Sequence, residues 1–180
     1  MHTLFLTITL LLSGLLFQTE NNLNYSYKIP DLRLLFEKAS KDEATCDRLA
    51  KHLASYKGED QVVYAYKGAT EGLRAKYAWS PYYKLKYIRN SAAIFTKTIK
   101  EDPDNAEIRF LRYSIEYYIP RYLNMSGHLQ EDKAIFLEGL FQYPKSNFDA
   151  DMFQIVKRFL LKHPDHLTEE ERKKLTNLKA

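Results

Sequence analysis

A run of basic and aromatic side chains in the middle of the sequence has the composition of a binding surface. No acidic residue lies between Glu71 and Glu101, whereas seven basic residues do. The basic residues are Arg74, Lys76, Lys84, Lys86, Arg89, Lys97 and Lys100. The turn before the fourth predicted helix adds the aromatic residues Tyr77, Trp79, Tyr82 and Tyr83. Cations beside aromatic faces can bind phosphate, carboxylate or glycan groups through charge-assisted hydrogen bonds and stacking.

We predict a partner-binding surface from this run. Its residues are Trp79, Lys84, Lys86, Arg89, Lys97 and Lys100. Helical geometry projects the last four into one sector of about 80°. Two alternatives stay open. Acidic residues from neighbouring helices could pair with these cations across a solvated face, and Trp79, two residues before Pro81, could fill a core position at a helix corner.

A pair of arginines is the second candidate site. Arg109 and Arg112 lie three residues apart, which places them on one face of a helix. Two adjacent guanidinium groups could clamp an anion. The alternative is a set of salt bridges between packed helices, which we favour because such pairs are common. Glu116, four residues after Arg112, could steady that arginine.

The histidines and carboxylates do not predict a metal or catalytic site. The segment His163-Pro164-Asp165-His166 offers two imidazoles and a carboxylate. Pro164 breaks the helix, so the imidazoles do not share the i, i+4 face of a helical zinc motif. No nucleophile motif or glycine-rich phosphate loop occurs in the sequence. We therefore predict no catalytic residue, no metal and no cofactor.

The elements that position these residues are expected to be helices of one domain. The chain has 180 residues, of which 45% are hydrophobic and 28% charged, which is enough for a folded core. Glycine and proline number only six each, which argues against turn-rich β-sandwiches and barrels. The single cysteine, Cys46, excludes an intramolecular disulfide, and we expect it to face a core as a small hydrophobe.

The N-terminus has the pattern of an export signal. Residues 4–17 carry no charge and as a helix would span about 21 Å, short of a bilayer core of about 30 Å. We therefore predict a signal peptide over residues 1–19 and a periplasmic or secreted protein whose domain covers residues 20–180. The cleavage site is left open between Gly14 and Glu20. The alternative is an uncleaved anchor, which would touch the membrane only through residues 4–17.

The six prolines each lie between stretches of helical periodicity, as expected of residues that mark helix ends. The apolar stripes predict an all-α fold of seven or eight antiparallel helices. The predicted ranges are residues 31–40, 42–56, 61–78, 81–101, 104–119, 128–142, 149–162 and an eighth helix from 168. Ser80-Pro81 has the pattern of a helix start, Thr168 to Glu171 that of a capping box, and Asp104 with Glu107 resembles one.

Two features of these helices predict close packing. Gly68 and Gly72 lie on one face of the third helix, and glycine costs about 1 kcal/mol against alanine there, so a neighbouring helix should approach closely. The fourth helix has two apolar stripes about 130° apart, which predicts two buried contacts. The stripes are Leu85, Ile88, Ala92, Phe95 and Ile99, and Tyr83, Tyr87 and Ile94.

Two resemblances support a helical fold. Residues 91–105, SAAIFTKTIKEDPDN, resemble the end of a tetratricopeptide repeat, with Ser91 at the small position, Phe95 at the aromatic one and Pro103 as the closing proline. This implies tetratricopeptide-like packing in a helical layer or superhelix, although the first-helix positions do not match. Residues 61–138 resemble an uncharacterised family of small exported bacterial proteins, which implies export and no known activity. That resemblance rests on AYKGA, AKYAWSP, KLKY and AEIRFLR.

These observations predict an exported, helical-repeat-like binding or scaffold protein. Its basic and aromatic surface would bind a protein or peptide partner, or another anionic ligand. Export argues against a nucleic-acid partner. The alternative is a small cell-envelope enzyme or enzyme accessory that acts on an anionic polymer or lipid. A deep pocket holding a carboxylate or histidine of shifted pKa would favour the enzyme, and a shallow groove the binding protein.

Overall fold

The computed structural model describes residues 25–178, and this part of the chain is all-helical, which confirms the predicted fold class. It contains eight α-helices. They are α1 (Ile29–Ala39), α2 (Glu43–Ala54), α3 (Gln61–Tyr77), α4 (Pro81–Glu101), α5 (Ala106–Glu116), α6 (Leu129–Phe141), α7 (Ala150–Lys162) and α8 (Glu169–Asn177). Two single-turn 3-10 helices lie in connections: Arg121–Leu123 between α5 and α6, and Pro164–His166 between α7 and α8.

The predicted signal peptide, residues 1–19, lies outside the described residues and stays a prediction. The same is true of the alternative anchor over residues 4–17. Within residues 25–178, no helix has both the length and the apolar character that a bilayer crossing requires.

Side-chain caps explain where the helices begin. Ser80 accepts a hydrogen bond from the first turn of α4, and the predicted capping box at the start of α8 is confirmed. The predicted capping box at Asp104 is wrong, because Asn105 caps α5 by accepting hydrogen bonds from its first N–H groups. The carboxylate of Glu107 is instead buried and bonded to side chains of other helices.

The glycines of α3 mark a close helix contact, as predicted. A Cβ atom added at Gly68 would lie 3.1 Å from Cγ2 of Ile94 in α4. One added at Gly72 would lie 3.1 Å from Oγ of Ser91 in α4 and would overlap Cγ2 of Ile115 in α5. Because the later glycine faces the earlier residue of α4, α3 and α4 run antiparallel.

Gly72→Ala is expected to lower the free energy of unfolding by about 1 to 2 kcal/mol. Overpacking by a methyl group costs about 3 kcal/mol where the overlap is severe, which exceeds the gain of about 1 kcal/mol in helix propensity. Gly127→Ala is the control, since no atom lies within 4 Å of the corresponding Cβ position. Urea unfolding of both variants tests this, and equal midpoints would contradict it.

Two hydrophobic cores share α5. The first is built from α1 to α5 and includes Cys46, whose burial is confirmed and raises the pKa of its thiol to about 12. The second is built from α5 to α8. Ile108 and Leu111 of α5 belong to the first core, and Phe110 and Tyr113 belong to the second. The helix α5 is therefore buried on nearly all sides.

Charged side chains of α5 are buried with it and pair with other helices. Glu107 accepts hydrogen bonds from Arg33 of α1 and from the hydroxyl of Tyr66 of α3. Arg33 also donates to both carboxylate oxygens of Asp149, at 2.8 Å each, just before α7. Burial alone would lower the pKa of Arg33, but Glu107 and Asp149 raise it overall, so the guanidinium stays charged. One arginine thus joins α1, α5 and the start of α7.

Candidate binding surface

The connection between α3 and α4 holds Trp79 on the surface. Tyr77 ends α3 and Pro81 begins α4, so only three residues, Ala78 to Ser80, join the helices. The backbone at Ala78 is extended, and the Trp79 side chain is left 88% exposed. The alternative in which Trp79 fills a core position is therefore wrong.

Three tyrosines of α4, Tyr82, Tyr83 and Tyr87, follow Trp79 in the chain, and we call them the aromatic row. The ring centroids of Tyr82 and Tyr83 lie 5.3 Å apart, and those of Tyr83 and Tyr87 lie 6.4 Å apart. Arg74 of α3 lies over the Tyr87 ring, 4.2 Å from its centroid, and donates a 3.0 Å hydrogen bond to the Tyr87 hydroxyl. One end of the row, Tyr82, is therefore 71% exposed, and the other end, Tyr87, contacts the guanidinium of Arg74 on α3.

Four exposed cations, which we call the cationic row, follow one side of α4. They are Lys86, Arg89, Lys97 and Lys100. Within residues 25–178 none of them has a carboxylate at ion-pair distance, although other lysines and arginines do. The row spans about 21 Å, at about 1.5 Å per residue. All four cations face solvent, and the cross-helix ion pairs that the alternative expected for them are not formed within residues 25–178.

Lys84 is a predicted site residue that does not lie on the same side of α4 as the cationic row. It is exposed, but it lies about 160° around the axis of α4 from Lys86. Tyr82 falls in the same sector as the cationic row, although it was not among the predicted site residues. Its signal was present in the sequence, because Tyr82 precedes Lys86 by four residues and so shares its helix face.

An open groove of about 460 Å³ lies between α2, α3 and α4. Lys86 and Tyr87 line it, so the groove adjoins both the cationic row and the aromatic row. The carboxylate of Glu71 also lines it and accepts hydrogen bonds from Arg74 at 2.9 Å and Asn90 at 3.0 Å. These two partners hold the carboxylate in place.

The groove explains the second apolar stripe of α4. The first stripe is buried at Ile88, Phe95 and Ile99, as predicted. The second stripe is only partly covered, because Tyr83 is 43% exposed and Ile94 lines the groove. The predicted second buried contact is therefore formed only in part: Tyr87 and Ile94 pack against α3, whereas apolar surface at Tyr83 is open to a partner.

The arginine pair of α5 is not open to an external anion. Arg109 and Arg112 are both buried and both donate hydrogen bonds to Asp132 of α6, which is fully buried. This confirms the inter-helix salt bridge as the correct alternative. The predicted contact between Glu116 and Arg112 is wrong, because Glu116 instead accepts hydrogen bonds from the backbone N–H and the ring of His128.

The histidine segment after α7 is more compact than the sequence predicts. His163, Asp165 and His166 each bring one ligand atom to within 4.8 Å of the others, the one group of this kind in the described part of the chain. Pro164 begins a 3-10 helix, whose three residues per turn place His163 and His166 on the same side. The i, i+3 spacing across a proline was the signal that the sequence analysis missed.

Comparisons with known proteins found no match to this chain. The chain matches no protein-family model, no curated protein and no solved structure. The two resemblances noted in the sequence therefore stay predictions, and a functional proposal has to rest on the geometry of the surface.

Proposed function

We propose that this is an exported, helical-repeat-like binding protein that holds an acidic peptide segment of a partner protein along α4. The observation that supports it most is the cationic row, whose exposed cations lack ion-pair partners within residues 25–178. The row lies beside the aromatic row and the open groove, so charge and apolar surface are available together.

The cationic row is unfavourable in the free protein. Lys86 and Arg89 lie three residues apart, as do Lys97 and Lys100. Like charges at this spacing destabilise a helix by about 0.2 to 0.5 kcal/mol per pair. Carboxylates of a partner would replace this repulsion with attraction and would also accelerate association. The charge pattern therefore favours an anionic ligand.

The dimensions of the surface favour an extended peptide. The row of about 21 Å matches about six extended residues at about 3.4 Å each. Trp79 and Tyr82 offer exposed aromatic area, which is typical of the centres of protein interfaces. The groove of about 460 Å³ can take up an apolar side chain. We expect a ligand with several carboxylates and at least one apolar or aromatic residue.

The alternative role, in an enzyme or accessory protein that acts on an anionic polymer or lipid, would use the same cations. Its expected mark is a deep pocket with a reactive acid or base. The space beside α4 is instead an open groove whose carboxylate is held by Arg74 and Asn90. For this reason we place binding first.

A titration followed by tryptophan fluorescence tests the proposal. Trp79 is the single tryptophan of the chain and is exposed, so its emission should shift to shorter wavelength when a ligand covers it. We expect a short glutamate-rich peptide with one aromatic residue to produce this shift. The double variant Lys86→Glu, Arg89→Glu should bind it about tenfold more weakly or worse, a difference of about 1.4 kcal/mol.

The double variant Lys145→Glu, Lys173→Glu is the matched control. It changes the net charge by the same amount, and both lysines are exposed outside α4. It should bind the peptide as the wild type does. Equal weakening of both double variants would mean that net charge alone drives binding. Binding of polyphosphate without binding of the peptide would favour the alternative role.

A further inference from the structure

A cluster of aromatic and histidine side chains surrounds the connection between α7 and α8. The ring centroids of His163 and His166 lie 5.2 Å apart, and those of Tyr117 and His166 lie 3.6 Å apart. The backbone N–H of His166 donates to the carbonyl of His163 at 3.1 Å, which fixes the 3-10 turn. Asp165, in the same turn, is exposed. The turn therefore holds two imidazoles and one carboxylate on a defined backbone.

One imidazole nitrogen in this cluster lacks a hydrogen-bond partner. The side chain of His166 is 0% exposed, and its buried Nε2 atom has no hydrogen-bond partner within residues 25–178. That atom lies 3.9 Å from Oδ2 of Asp165. Buried polar atoms are nearly always satisfied, so this unpartnered nitrogen beside a carboxylate requires an explanation.

Within residues 25–178, His52 also has a buried Nε2 atom without a hydrogen-bond partner, but its surroundings differ from those of His166. Its ring stacks on Tyr27, with centroids 4.1 Å apart, and lies edge-on to Tyr25. No second histidine and carboxylate accompany it in the described part of the chain. The orphan alone is therefore not the basis of the inference, which depends on its combination with His163 and Asp165.

Neighbouring hydroxyl groups orient His166 and Asp165. The hydroxyl of Tyr113 lies 2.9 Å from Nδ1 of His166, and the hydroxyl of Tyr117 donates to Oδ2 of Asp165 at 2.8 Å. If Nδ1–H donates to Tyr113, Nε2 keeps its lone pair for a metal, as metal-binding histidines usually do. His163 also follows the last residue of α7, where the helix dipole attracts a cation.

We propose that His163, Asp165 and His166 bind a Zn²⁺ ion. Two imidazoles and one carboxylate are ligands that zinc accepts, with a fourth position left for water. Ligand atoms around tetrahedral zinc lie about 3.4 Å apart, so atoms now within 4.8 Å of one another have to approach by up to about 1.4 Å. His163 is only partly buried and Asp165 is exposed, so both can move while His166 stays fixed.

Calorimetric titration of the full chain with zinc chloride, without a histidine tag, tests this inference. We expect about one Zn²⁺ per chain with micromolar or tighter affinity, and no binding of Mg²⁺, which prefers oxygen ligands. Asp165→Asn should weaken zinc binding at least tenfold while keeping an oxygen for the Tyr117 hydroxyl. His163→Ala should weaken it by the same amount or more. Zinc should also raise the Tm of the wild type and not that of Asp165→Asn.

His128→Gln is the control, since it removes an imidazole that lies 2.7 Å from Glu116, away from the proposed site. It should bind zinc as the wild type does. Circular dichroism verifies that each variant is folded, and the exposed Asp165 makes its variant the safest of the set. Absence of saturable zinc binding to the wild type, equal binding by Asp165→Asn, or loss in His128→Gln would each overturn the proposal.

Discussion

Asp132→Asn is expected to lower the free energy of unfolding by about 3 to 5 kcal/mol. Asp132 is fully buried and accepts three hydrogen bonds, one from Arg109 at 3.1 Å and two from Arg112 at 2.7 Å each. Asparagine has nearly the same volume, so the loss reports charge and hydrogen bonding rather than a cavity. Without the carboxylate, two guanidinium groups that cannot deprotonate stay buried with too few acceptors.

Glu131→Gln is the matched control for this prediction. Glu131 is the neighbouring residue and lies 2.5 Å from Arg109, but its side chain is 57% exposed. The hydrogen bond from Arg109 lowers the pKa of Glu131, yet water can replace that partner. We expect the substitution to change the free energy of unfolding by no more than about 1 kcal/mol. Urea unfolding at neutral pH measures the free energy of unfolding of both variants. Equal losses would contradict the prediction that the buried carboxylate contributes more to stability than the exposed one.

Glu107→Gln is expected to lower the free energy of unfolding by about 3 kcal/mol. Glu107 accepts hydrogen bonds from Arg33 at 3.0 and 2.6 Å and from the Tyr66 hydroxyl at 2.9 Å. Burial and the nearby Glu107 carboxylate raise the pKa of Tyr66, so its hydroxyl stays protonated and donates. With glutamine, Arg33 keeps only Asp149 as a charged partner. The effect is smaller than that of Asp132→Asn because Glu107 is the partner of one arginine, whereas Asp132 is the partner of two.

Two further variants test this network, one within it and one at an exposed ion pair outside it as a control. Tyr66→Phe removes one hydroxyl and should cost about 1 kcal/mol. Glu37→Gln breaks an exposed pair with Lys41 and should change the free energy of unfolding by no more than about 0.5 kcal/mol. Combining Tyr66→Phe with Glu107→Gln should give less than the sum of the two losses, because Glu107→Gln weakens the hydrogen bond that Tyr66→Phe removes. An additive result would mean that the two side chains act independently.

The helices could be predicted because their signals are local in the sequence. Each of the six prolines lies at or near a helix end, and the glycines of α3 predicted the close approach of another helix. The start of α5 could not be predicted in this way. Asp104 and Asn105 are both good caps, and the choice involves Glu107, whose partner Arg33 lies 74 residues earlier. Residue spacing contains no information about such a distant partner.

The candidate surface was predictable in part for a similar reason. The period of an α-helix was enough to place the cationic row on one side of α4. The exposure of Trp79 was not predictable, because the usual burial of tryptophan does not tell whether a neighbouring helix covers a particular corner. The histidine cluster was missed because only the α-helical spacing was considered, whereas the chain forms a 3-10 turn after Pro164.

Because α5 lies between two cores, helices cannot be added or removed beside it without loss of stability. An array of stacked repeats can gain or lose a whole repeat, because each repeat contacts only its neighbours. Here a copied or deleted pair of helices would leave a helix with buried charges and no partners, since α5 pairs with α1, α3 and α6 at once. Fragments that end before α6 should therefore aggregate rather than persist as smaller domains, because the apolar face that α5 gives to the second core would be exposed.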